Sequence, residues 1–458
     1  AVAPANPYWS PIVAEDVFMP LKDAKKKKYR GLSGRDFIFY HRKTGCSYYD
    51  QYEGYFDSDL IIFNAAKYKI EVALDRKPET EIDIIDEADE FLDSFSNQID
   101  LNLNKLFNSL SSMHFDDLDV QGTMELIKKL IRAEETNKNE LGLDTKKIYR
   151  IQETNMMKIL SLFLKHPEFE VEISLDELNY ANKAIEAARE FEEFFDETYL
   201  TYSKHEDNLY VHLVTVNLSR KLGDVLNKNK AFLFMSGTLH SDVILKNIFG
   251  INSYKVIEAE NNYQGEMEIV RTGKEFDCSY KNFISGGFDR EQYLKALEAC
   301  VDKAKRPTLV HVNSFEDLPR RDEIEKFGIR GLISREELIE SQTKDKTGEM
   351  ISDFKKKKMN ILYSTKCNRG VDFPGDICNS VVFTKYPNPN VQGSFWKILE
   401  KTHPKYYWDF YRDKAQREFL QRLYRALRSK DDYVYVLSPD SRVLEATRKL
   451  QIGKANSQ

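Results

Sequence analysis

The chain has 458 residues, 41% of them hydrophobic and 12% aromatic, which is enough for about two to four domains with several cores. A charged fraction of 31% with a net charge near −6 excludes a histone-like binder with a wholly basic surface, but allows a basic groove on an acidic body. No stretch reaches the ~20 apolar residues of a membrane span, so no membrane partner is expected. The opening AVAPANPYWSPIV has neither the basic start nor the apolar run of a signal peptide, and places the chain in the cytoplasm (nucleoid-associated) or nucleus rather than outside the cell. Cys46, Cys278, Cys300, Cys367 and Cys378 are dispersed without C-x-x-C spacing, which argues against a disulfide framework or a zinc site.

In chain order, seven short apolar runs predict strands: Asp59–Phe63, Ile82–Ile85, Ala231–Met235, Thr308–Val312, Asn360–Tyr363, Ser380–Thr384 and Tyr433–Leu437. Continuous apolar runs of this length suit parallel strands buried on both faces. Between about Asn97 and Tyr202 the pattern turns helical. Segments Val120–Glu135 and Leu175–Tyr199 have helical periodicity, and Ser174 with Glu177 has capping-box spacing. The expected architecture is α/β, with a mainly helical insertion inside the first of two parallel-sheet domains. The boundaries are 1–96 with 203–262 for the first domain, 97–202 for the insertion and 263–458 for the second domain. The lysine runs Lys25–Lys28 and Lys355–Lys358 are read equally well as basic patches or as solvated faces.

Four constellations carry chemistry. In Ile82-Asp83-Ile84-Ile85-Asp86-Glu87-Ala88-Asp89 an apolar strand delivers adjacent carboxylates at its C-terminal end. In a nucleotide-hydrolysing site Asp86 would hold Mg²⁺, with Glu87 sharing that role and orienting the attacking water. Ser236-Gly237-Thr238 follows the next strand, with small hydroxyls suited to linking a nucleotide site to a neighbouring domain. In Arg369-Gly370-Val371-Asp372-Phe373-Pro374-Gly375-Asp376, Gly370 permits close backbone approach, and Asp372 is suited to accept hydrogen bonds across a domain cleft. Gln421, Arg425 and Arg428, at i, i+4 and i+7, are expected on one face of a helix. There the two arginines would stabilise a phosphoryl transition state, and Glu418 can pair with Arg422.

The series D-E-A-D, S-G-T, R-G-V-D-F-P-G-D and Q-x-x-Y-R-x-x-R resembles motifs II, III, V and VI of superfamily 2 helicases, in the wording of the XPD/DinG branch. Leu309–Ser314, Tyr386-Pro387-Asn388-Pro389 and Leu437–Arg442 fit the same pattern. The resemblance runs from about Cys46 to Arg442. It implies two RecA-like domains with ATP and Mg²⁺ bound between them and an Arch-like insertion at 97–202. It also implies 5′→3′ movement on single-stranded or fork DNA, with Ser236, Gly237, Thr238, Asp89, Gly370 and Asp372 coupling nucleotide state to closure. Asn313, Ser314 and Arg369 are candidate DNA contacts from loop position.

The sequence departs from that family in three places, the smallest being Tyr424, where motif VI usually has glycine, which leaves the arginine spacing intact. No G-x-G-K-[ST] precedes Asp86. Thr272-Gly273-Lys274 and Ile452-Gly453-Lys454 are misplaced and lack the following Ser/Thr. Either an N-terminal part or internal pieces are missing from the sequence, which the intact later motifs favour, or this is a degenerate helicase-fold scaffold without ATPase activity. A nuclease using Asp86, Glu87 and Asp89 for metal would leave the arginine pair unexplained. The family's iron–sulfur cluster needs four thiolates, and only Cys46 occupies a candidate position, so no cluster is expected.

Overall fold

The computed structural model describes all residues except 1–5, 18, 20, 97, 141, 167, 168, 170–172, 174–178, 258–264, 366, 368, 369 and 458. The predicted cap Ser174/Glu177 and the candidate Arg369 therefore lie outside the described residues. The chain divides into two compact units. Ala1–Asn252 with Asn390–Asp409 forms the first, and Ser253–Pro389 with Phe410–Gln458 forms the second.

The first unit opens with an antiparallel sheet that the sequence did not announce, ordered β1 (Ile12–Ala14), β3 (Asp36–His41), β2 (Lys25–Arg30). The Lys25–Lys28 run is strand β2. Lys27 pairs with Glu53, while Lys28 reaches Glu15 at 2.7 Å and Asp36 at 3.0 Å, so these ammonium groups are already matched by carboxylates. The run Asp59–Phe63 is not a strand. It lies in an irregular stretch that leaves Leu60 and Ile62 exposed.

A parallel pair follows, β4 (Asp83–Ile85) with the later β9 (Phe232–Phe234), in register Ile84↔Leu233. Contrary to the expectation of burial on both faces, Ile84 and Leu233 are 57% and 44% exposed. Strand side chains alternate, and only one face of this pair is covered among the described residues. The covered face holds Asp83. It accepts from Tyr68 Oη (2.6 Å) and Thr80 Oγ1 (2.5 Å), and lies 3.1 Å from the buried Lys77 ammonium.

The inserted segment is rich in helices but is organised on a four-stranded antiparallel sheet. Its order is β5 (Ile99–Asn102), β8 (Asn208–Thr215), β7 (Thr198–His205), β6 (Tyr149–Arg150). The helix Leu103–Ser111 begins where the Asn102 side chain accepts from Lys105 N at 2.9 Å. In the helix Leu118–Glu140, Val120, Met124, Ile127 and Ile131 form one buried stripe. They share a core with Leu106, Phe163, Phe191 and Leu213. Of the segment Leu175–Tyr199 expected to be helical, residues 175–178 lie outside the described residues and Ala181–Phe191 forms a helix. A 3-10 stretch and β7 take over, so Tyr199 is a strand residue paired with Val214. Strand β7 thus runs straight through the boundary expected at 202/203.

The second unit is built on five parallel strands in the order β10 (Glu266–Ile269), β14 (Tyr433–Leu437), β13 (Ser380–Phe383), β11 (Thr308–His311), β12 (Ile361–Ser364). The residues of β11 and β13 are buried throughout, as their unbroken apolar runs predict. Helix Arg290–Lys303 starts with a reciprocal cap between Asp289 and Gln292, and buries Tyr293, Leu297 and Cys300. The segment 390–409, expected in this domain, belongs to the first unit. Its helix Ser394–Thr402 buries Phe395, Trp396, Ile398 and Leu399, and Ser394 Oγ lies 2.9 Å from Thr201 Oγ1 on β7. An apolar face that can be covered by β7 and β8 outweighs its position in the chain.

Candidate nucleotide and motor site

Strand β4 is followed directly by Asp86 and Glu87, both exposed. Glu87 adopts the left-handed conformation (φ 49, ψ 48), and its N–H donates to Asp86 Oδ1 at 2.9 Å. A non-glycine residue held there is uncommon and marks a tightly determined turn. The neighbouring loop determines it. Met235 N–H donates to Ile85 O (2.9 Å) and Ala88 N–H donates to Met235 O (2.8 Å), which continues the β4–β9 ladder past the strand ends.

Asp89 then turns inward and is fully buried. Its two oxygens accept from Ser236 Oγ (2.8 Å) and Thr238 Oγ1 (3.2 Å), and Thr238 N–H donates to Ser236 Oγ at 3.0 Å. The D-E-A-D and S-G-T segments are thus brought together. The hydroxyls, however, bind Asp89 of their own unit rather than a neighbouring domain. Gly237 is exposed at the tip of this turn. One turn further on, His240 Nε2 lies 3.0 Å from Asp93 Oδ1, a buried pair that sequence reasoning missed. The only signal for it was the repetition of an acid four residues after Asp89.

In the second unit the functional loops gather past the C-terminal ends of the parallel strands, where such sheets place their chemistry. Asp372 Oδ1 accepts from Arg425 Nη1 at 3.1 Å and from Arg428 Nε at 2.7 Å, and Arg428 Nη2 also reaches it. Asp372, expected to reach across a cleft, therefore holds the two arginines of its own unit. The glycine at position 370 is needed for its positive φ of 73 rather than for a close approach, since nothing lies where a Cβ would be.

The helix expected through Gln421–Arg428 stops at Leu423. Arg425 O accepts from Phe373 N–H at 2.7 Å, while Arg428 N–H and Ser429 N–H donate to Asp432 Oδ2 at 2.5 and 2.7 Å. These bonds replace the helical ones, and Ala426 and Leu427 drop into the core. The arginines converge on Asp372, but from a turn and an extended segment rather than one helical face. Gln421 remains on the helix and is buried, and Arg422 Nε lies 3.8 Å from Glu418. Burial, followed by the charges of Arg422 and Arg425, pushes the neighbouring His311 down to about 3, and its Nε2 lies 3.1 Å from Arg422 O.

Of the candidate DNA contacts, Ser314 caps the turn Phe315–Asp317 by accepting from Glu316 N–H, and Asn313 N–H donates to Thr384 Oγ1 at 3.0 Å. Asp440, inside the run Leu437–Arg442 but not among the candidate site residues, joins them in the structure. This buried carboxylate receives Tyr386 N–H at 2.9 Å and Arg442 at 2.7 Å, joining the loops after β13 and β14.

Asp86 and Glu87 are exposed, and such a carboxylate pair would suit a hydrated Mg²⁺ brought by a nucleotide, an ion that typically takes one or two carboxylates plus phosphates. Neither stray Gly-Lys pair is a phosphate cradle. Thr272 and Gly273 N–H groups donate to the Glu275 carboxylate, and Gly453 lies inside the helix Ser441–Ser457. The thiols do not fit an iron–sulfur cluster. Cys278 and Cys300 lie in one apolar core, Cys367 and Cys378 in another, and burial pushes Cys300 and Cys378 up to about 12. Among the described residues no three His, Cys, Asp or Glu side chains form a metal-holding group. Likewise no helix among them is long and apolar enough to cross a membrane.

Residues 297–456 match the helicase C-terminal domain family. A comparison with curated proteins gave no match. Among solved structures the chain is similar to S. tokodaii Xpd4, at 18% identity and a TM-score of 0.52, covering 82% of this chain and 74% of that one. It is also similar to a chain described as XPD helicase (14% identity, TM-score 0.44, 80% of this chain and 66% of that one) and to one described as XPD APO (15%, 0.45, 80% and 74%). The chain therefore spans between 66% and 74% of the length of these relatives. Residues 297–456 thus match a helicase C-terminal domain, in a chain whose fold is similar to that of S. tokodaii Xpd4.

Proposed function

We propose that this chain is the motor part of an ATP-dependent DNA helicase or translocase of the XPD/DinG type, moving 5′→3′ on single-stranded or fork DNA. The observation that carries this reading is the exposed Asp86–Glu87 pair, fastened at a strand end by the Asp89–Ser236–Thr238 network. Asp86 would hold the Mg²⁺ that accompanies ATP, and the ion would neutralise phosphate charge. Glu87 would orient and polarise the attacking water. Arg425 and Arg428 would stabilise the phosphoryl transition state, and Asp372 would keep both guanidiniums positioned. Asp89, Ser236 and Thr238 would report nucleotide state to the rest of the motor. DNA would be held through its backbone and by stacking, with little sequence preference.

DNA-stimulated ATP hydrolysis by the full-length gene product tests this, with Glu87→Gln as control. The expected result is stimulated turnover that Glu87→Gln lowers by about 10²-fold or more. No hydrolysis, together with DNA affinity indifferent to nucleotide, would establish a scaffold on a helicase fold instead.

A further inference from the structure

A cavity of about 370 Å³ opens in the first unit, away from Asp86 and Asp89, and is large enough for a small molecule. One wall is helix Ala65–Ala73 and helix Leu218–Asn227, and the other is helix Ala181–Phe191 with the start of β5. Its lining mixes apolar residues, among them Ile70, Leu74, Phe95 and Val225, with charged ones that include Lys69, Lys183, Arg189 and Glu193, so a ligand must present an apolar body and a charge.

The charges in the wall are unequal in their partners. Glu190 pairs with the buried Lys221, Asp100 lies 2.6 Å from His212, and Asp224 lies 3.2 Å from Lys228. Burial raises the Glu186 carboxyl, which favours its neutral form. Lys69 differs from these. Its Nζ donates to Ser94 Oγ at 3.1 Å and lies 5.7 Å from the Phe95 ring, with no carboxylate at ion-pairing distance among the described residues. Burial lowers its pKa and the Glu190 charge offsets this only in part, so the ammonium is held at a cost that an incoming anion would reduce.

We propose that this cavity binds a small aromatic carboxylate, its anionic group on Lys69 and its ring against Phe95 and Val225. Bound there, the molecule bridges the body helices and the inserted segment, and ties the insertion in place. The inference is independent of ATP hydrolysis.

The test uses ¹⁹F NMR of 4-(trifluoromethyl)benzoate with the full chain. Saturable binding is expected, with the methyl ester of the same acid at least about tenfold weaker on the unaltered protein, because the ester has no charge for Lys69. Lys69→Met should weaken the acid by about tenfold and leave the ester unchanged. Ala73→Trp, which fills the cavity, should abolish both. Equal binding of acid and ester, binding that survives Ala73→Trp, or no saturable binding would each overturn the proposal. The comparison of acid with ester needs no variant, so a misfolded Lys69→Met does not decide the outcome.

Discussion

Asp89 accepts a 2.8 Å hydrogen bond from the hydroxyl of Ser236, a residue 147 positions later in the chain. The whole inserted segment lies between them in sequence. The bond therefore fastens the strand that carries Asp86 to the strand that resumes the parallel pair. The same carboxylate takes Thr238, so one buried anion organises both motifs.

Replacing Asp89 by Asn keeps the shape but removes the charge, and gives Thr238 or Ser236 an amide donor where an acceptor was. Hydrogen bonds to charged groups contribute ~1.5–3 kcal/mol. Asp89→Asn is expected to lower the urea unfolding free energy of the first unit by about 2 kcal/mol. Ser236→Ala should cost less, since one acceptor oxygen of Asp89 keeps Thr238.

The two arginines on Asp372 differ in exposure, with side chains 8% exposed for Arg425 and 41% for Arg428. A half-exposed pair is screened and contributes at most ~1 kcal/mol. Arg428→Ala should therefore leave the unfolding midpoint nearly unchanged, whereas Arg425→Ala should destabilise by roughly 2–3 kcal/mol. If both serve catalysis, both variants lose ATP turnover, and only Arg425→Ala loses stability as well. Parallel kcat and denaturation measurements separate these effects.

Lys77 is almost wholly buried and donates to Thr80 Oγ1 (2.7 Å) and Asn229 Oδ1 (2.9 Å), beside Asp83 at 3.1 Å. Lys77→Met would leave Asp83 charged and enclosed, at a cost of about 3–5 kcal/mol. The double variant Lys77→Met/Asp83→Asn should recover part of that loss, as a double-mutant cycle by denaturation will show.

His311 gives the second unit an acid sensitivity. The unfolded chain takes a proton near pH ~6.5 that the folded chain refuses until about 3. Acidification through this window therefore favours unfolding, with a slope of up to ~1.4 kcal/mol per pH unit. Above the window the contribution is constant. His311→Gln, which keeps an N–H donor for Arg422 O, should flatten that slope in denaturation curves taken across the window.

The sequence by itself determined what short-range chemistry can encode. Six of the seven apolar runs are strands in the places expected. The acidic pair follows β4, the hydroxyl turn follows β9, and the stripe of Val120, Met124, Ile127 and Ile131 is a helix face. Only the tertiary structure decided where competing partners lay. The helix after Gln421 ends because Phe373 and Asp432 take the backbone groups that would continue it. Asp372 faces its own arginines because the turn at Arg425 brings them there. Strands β5 and β8 pair across more than a hundred residues, and the segment 390–409 leaves its neighbours to cover β7 and β8. Periodicity reports which face of an element is apolar. Which surface covers that face is a long-range competition that residue spacing does not record.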